Sequence, residues 1–107
     1  MIITSSEQIA GMRVVKTVGL VRGSTIRARH LGRDLMALLR NLVGGEISEY
    51  TKLMAESREQ SIKRMTDEAE SLGANAVISA RFTTSMIMSG AAELLIYGTA
   101  VVIEETD

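Results

Sequence analysis

Five groups able to carry positive charge, Arg22, Arg27, Arg29, His30 and Arg33, fall within 12 residues of this 107-residue chain. Arginine presents planar, paired N–H donors that match phosphate and carboxylate, so the cluster is a candidate anion site. The alternative reading is a solvated surface, or salt bridges between subunits that reach Asp34, Glu46 or the acidic C-terminal stretch. Asp34 and Tyr50 add directional hydrogen-bonding groups. Their structural reading pairs Asp34 with Arg33 or Arg58 and places Tyr50 in a core with its hydroxyl at an edge. No catalytic residue is assigned, because nothing near these side chains joins a nucleophile to an evident base.

His30 is the one histidine and there is no cysteine. Disulfides, thiolate nucleophiles and cysteine-held zinc or iron–sulfur centres are therefore excluded. A symmetric ring would repeat His30 around an axis, so a metal site is not forbidden, but the simpler expectation is a partly exposed side chain before a helix. Met86 and Met88, among seven methionines, offer soft sulfur, yet methionine in an aliphatic core mostly packs. Two tyrosines, one phenylalanine and no tryptophan argue against a stacking platform for single-stranded nucleic acid, which needs aromatic faces in clusters. A net charge of −1 supplies no field for nucleic acid or anionic membranes. Gly73-Ala74-Asn75-Ala76 comes after a helix and before a strand, the reverse of a phosphate-binding loop, and reads as a turn.

Apolar periodicity defines the elements that must position these groups. Ile2-Ile3-Thr4 is a short strand. Met12 to Arg22 is a strand with two largely apolar faces, Val14, Val18 and Leu20 against Val15, Gly19 and Val21; Gly23-Ser24 is expected to end or bend it, with Thr25 to His30 a basic connector. A short helix from Leu31 to Val43 stops at Gly44-Gly45. A long amphipathic helix from Glu46 to Leu72 carries Ile47, Tyr50, Met54, Ile62, Met65, Ala69 and Leu72 on one stripe and a Glu59–Lys63 pair outside, with Gly73 as its C-terminal cap. Ala76 to Met88 and Glu93 to Ile103 form an antiparallel hairpin through Ser89-Gly90-Ala91-Ala92. In its first half Ile78, Ala80, Phe82, Met86 and Met88 share a face. The acidic tail from Glu104 is expected to fray.

The fold class is thus α+β, in the order β-β-α-α-β-β: an antiparallel three-stranded sheet, plus a short N-terminal strand, packed against one long and one short helix. Residues 1–107 are expected to form one domain. The N-terminus lacks the pattern of a secretory signal, and no apolar run approaches the roughly 20 residues of a membrane span, so a cytoplasmic location is expected. Apolar surface on the second sheet face and around the short helix exceeds what one subunit can bury, which points to a homo-oligomer.

Several fragments, in order, resemble the YbjQ-like family of small bacterial proteins, described as heavy-metal-binding. They are Met1-Ile2-Ile3-Thr4, Gly19-Leu20-Val21-Arg22-Gly23, Arg33-Asp34-Leu35, Asn41-Leu42-Val43-Gly44-Gly45, Tyr50, Ala55, Arg58, Leu72-Gly73-Ala74-Asn75-Ala76-Val77 and Gly98-Thr99-Ala100-Val101. The resemblance implies a dodecin-like subunit in a ring, usually a pentamer, without established enzymatic activity. It also implies a metal ion as ligand, although Glu46, Thr51 and Thr83 depart from the family pattern and two of these changes remove potential oxygen ligands. The expectation is a homopentameric protein that binds a small anion or a metal ion, with its cofactor unassigned. Alternatives are a small enzyme whose site is assembled between subunits and a protein–protein adaptor.

Overall fold

The computed structural model describes residues 1–27, 47–88 and 91–106. The expected short helix over 31–43 lies outside them. The strands are β1 (Ile2–Ile3), β2 (Met12–Arg27), β3 (Ala76–Met88) and β4 (Ala91–Glu105), and the helix α1 spans Ile47–Ser71. They form a four-stranded sheet in the order β1-β3-β4-β2. β4 pairs antiparallel with both β2 and β3, whereas β1 runs parallel to β3. The sheet is therefore mixed. Ile2 and Ile3 sit opposite Ala76 and Val77, and the Thr4 amide continues the ladder to the Val77 carbonyl at 3.0 Å.

α1 forms because its apolar and small residues recur at helical spacing, and it stops at Gly73. The Ala74 amide reaches the Ala69 carbonyl and the Gly73 amide the Glu70 carbonyl, both at 3.0 Å, with Gly73 at φ 86°. Glycine adopts that left-handed conformation without a Cβ clash, so the last carbonyls are satisfied where the helix ends. The buried stripe differs from the expected one. Its centre is Ser57, Ser61, Met65 and Ala69, while Leu72, 53% exposed, falls outside. Lys63 pairs with Asp67 at 2.9 Å rather than with Glu59.

β2 does not end at Gly23. It continues to Arg27, with Val21, Gly23 and Thr25 buried beneath α1. A Cβ on Gly23 would overlap the Ser61 carbonyl oxygen and lie 2.5 Å from the Met65 amide nitrogen. The glycine thus marks where helix backbone meets strand backbone, not a chain reversal. Beside it the Thr25 and Ser61 hydroxyls are 2.8 Å apart, with the carbonyl oxygens of Ser57 and Leu94 each at 3.2 Å as further acceptors. Small and hydroxyl-bearing residues let the helix approach closely and still satisfy buried polar groups.

Three irregularities reassign faces expected from simple alternation. β2 changes register against β4 between Val14 and Lys16 and again between Thr17 and Gly19, while β3 does so between Ile78 and Arg81. Each extra residue shifts the rest of its strand to the other face. Val18 therefore packs with Val21 under α1, and Ala80 joins that same cluster while Ile78 packs on the far face. The far-face cluster is Ala76, Val101 and Ile103, covered by Ile9, Met12 and Ile78. The acidic tail is tied to β2 and the turn before it: Glu104 pairs with Arg13 at 3.3 Å, and the Thr106 amide donates to the Gly11 carbonyl at 2.9 Å. The hairpin connection is shorter than four residues, since Met88 already faces Ala91.

Candidate functional site

Of the residues singled out for chemistry, Arg22 has a described side chain, exposed on the sheet face away from α1. Position 27 closes β2 opposite Ala92, and Tyr50 lies in the first turn of α1. Arg29, His30, Arg33 and Asp34 lie outside the described residues. Arg22 and Arg27 are five residues apart on one strand, an odd step, so the two positions fall on opposite faces.

Beside Arg22 stand residues from other strands. Arg22 is the cross-strand partner of Tyr97, and Tyr97 is in turn the partner of Arg81 on β3. Directly opposed residues place their Cβ atoms about 5 Å apart, so Arg22 and Arg81 stand on either side of Tyr97 in a row across three strands. Tyr97 is 39% exposed and its ring opens to the same side. The irregularity at Ser79, a serine at φ 55°, sets the face of Arg81. Arg81 donates from Nη1 to the Ser5 carbonyl at 2.6 Å and the Ala80 carbonyl at 2.9 Å, which anchors one nitrogen of its fork. The adjoining row is Ser24, Leu95 and Thr83. Paired guanidinium donors beside a phenol and two hydroxyls suit an anion with several oxygens.

Sequence reading passed over Arg81 and Tyr97 because their meeting depends on hairpin register. A four-residue loop would set Arg81 across from Ala100; the tighter connection and the irregularity near Met86 set it across from Tyr97. The buried hydroxyls of Ser57 and Ser61 were missed for another reason, since polar residues within an amphipathic helix read as its solvent face.

A family model with the description "Putative heavy-metal-binding", of the YbjQ type, matches residues 1–104. The chain is 56% identical over 101 residues to a UPF0145 protein of the archaeon Methanosarcina acetivorans, covering 94% of this chain and 95% of that protein. It is 52% identical over 104 residues to a UPF0145 protein of Dehalococcoides mccartyi, covering 97% and 100%, and 52% identical over 106 residues to one of Pyrococcus abyssi, covering 99% and 93%. Such relatives are therefore archaeal as well as bacterial, which corrects the expectation of a bacterial family. In fold the chain is similar to a protein of unknown function from Pediococcus pentosaceus, with a TM-score of 0.63 at 15% identity over 97% of this chain and 98% of that one.

Heavy-metal binding calls for convergent soft or anionic donors. Among the described residues no three of His, Cys, Asp or Glu come together, and the chain has no cysteine at all. The described donors do not fit a heavy-metal centre. Among the described residues, no helix is long and apolar enough to cross a membrane.

Proposed function

The chain belongs to the YbjQ-like, UPF0145 family, and we propose that it is a binding protein rather than an enzyme, built as a closed homo-oligomer with a small anion as ligand. One observation carries the reading. β2, sixteen residues long, is the longer of the two edge strands of the described sheet, and it presents Leu20, 67% exposed, and Ile26, 56% exposed, on the face opposite α1. Long edge strands bearing exposed apolar side chains template further pairing, and oligomers bury them. Arg22 lies between these two residues, so a ring would repeat the Arg22–Tyr97–Arg81 row once per subunit.

A dodecin-like, single-domain subunit and a five-membered ring in the cytoplasm are the forms that the family resemblance favours. Light scattering coupled to size-exclusion chromatography tests the assembly: the expected mass is several times 11.6 kDa. A stable monomer at micromolar concentration overturns it. Native mass spectrometry of untagged protein then counts subunits and reports any retained anion in the same measurement.

A further inference from the structure

Leu20, Arg22, Ser24 and Ile26 take alternate positions of β2, and no register change interrupts the strand after Gly19, so all four share the face turned away from α1. Arg22 stands exposed between the two apolar side chains that the proposed assembly buries. Among the described residues its guanidinium meets no hydrogen-bond partner and no carboxylate. Its neighbours on this face are Tyr97 opposite it, Ser24 beside it and Thr99 opposite Leu20, and none of them carries an acid. On the same face β4 places Glu93 opposite Ile26, two rows from Arg22 and so about 13 Å along the strand. Arg81, beyond Tyr97, adds a second cation.

A second copy that covers Leu20 and Ile26 takes Arg22 out of water with them. A guanidinium buried without a counter-charge is costly, so assembly through this face needs a negative group at Arg22. The row offers two cations beside hydroxyls and no acid, which suits a multiply charged oxyanion better than a single carboxylate. We propose that a phosphate-like oxyanion bound at Arg22 lies within the subunit interface and that its binding drives assembly. The anion then binds the ring more tightly than the single subunit, and by linkage each stabilises the other. This rests on the reading of the chain as an anion-binding oligomer and adds its regulation: the free anion concentration sets the fraction of chains assembled.

Light scattering over a dilution series of the full, untagged chain tests it, in chloride and in inorganic phosphate at equal ionic strength, with urea added if the ring resists dilution. The expected result is half-dissociation at a protein concentration about tenfold lower in about 50 mM phosphate than in chloride. Arg22→Gln alters an exposed side chain, so circular dichroism should stay unchanged. The variant is expected to lose the phosphate shift and to assemble better than the parent in chloride, because the uncompensated charge is gone. Phosphate also favours apolar burial in general, but that effect would persist in the variant. A parent that assembles equally in both buffers overturns the proposal, as does a phosphate shift that survives Arg22→Gln. Weaker assembly in phosphate, or a variant that assembles worse than the parent in chloride, overturns it too, since a carboxylate of the neighbouring copy then answers Arg22. A mass of 11.6 kDa in both buffers at every concentration removes the ring and the linkage together. Calorimetric titration of phosphate into the ring separates the remaining cases: binding without a shift removes the linkage alone, and no binding removes the anion reading as well.

Discussion

Gly23 is the residue on which the helix–sheet contact turns. Its hydrogen stands where any side chain would meet the α1 backbone at Ser61 and Met65. Gly23→Ala should therefore destabilise the fold by about 3 kcal/mol, because neither clashing partner is a side chain that can swing aside. Urea unfolding followed by circular dichroism, at one fixed protein concentration because assembly contributes to apparent stability, measures the loss. An effect within about 0.5 kcal/mol, typical of surface changes, would show that the helix sits farther from β2. The same position explains a misreading at the level of single residues. Glycine followed by serine is ordinarily a turn signal, and only the helix lying across it reveals that the missing side chain makes room for another backbone.

At the scale of elements, α1 was readable in extent but not in its buried face. Its end at Gly73 comes from local chemistry, since the left-handed residue that closes the last turn is encoded where it acts. Its inner stripe depends on what lies beneath. Gly23 of β2 leaves room for the Ser61 backbone and the Thr25 hydroxyl donates to the Ser57 carbonyl, while Leu72, one turn past the sheet contact, stays exposed. Met65→Ala is expected to cost about 3 kcal/mol, because Met65 is fully buried and its removal leaves a cavity. Leu72→Ala is expected to change stability by no more than about 0.5 kcal/mol. Paired thermal or urea melts of the two variants check the contrast, and equal losses would restore Leu72 to the core.

For the whole molecule, the proposed assembly rests on β2 and its open face. If copies of the chain bury Leu20 and Ile26, then Leu20→Glu combined with Ile26→Glu should return the assembly to 11.6 kDa while leaving the far-UV spectrum intact. Both side chains are exposed in the single subunit, so the charges destabilise only the assembled form. A double variant that keeps the parent mass would place the interface elsewhere. The arginine row lies on the same surface, and Arg22 is the cross-strand neighbour of Tyr97 whether or not the ring forms.

The sequence by itself determined the order of strands and the long helix, the position of the helix stop, the antiparallel hairpin, the exclusion of thiol chemistry and the family. These come from periodicity, from glycine at one terminus and from residue counts, all of which are local or additive along the chain. Only the tertiary structure decided which side chains meet. Extra residues at Val15, Val18 and Ser79 exchange the faces of two strands, β1 joins β3 in parallel, and the tight hairpin brings Arg81 rather than another residue beside Tyr97. Because side chains alternate with period two, one added residue reverses every assignment beyond it, and that addition is visible only once the partner strand fixes the register.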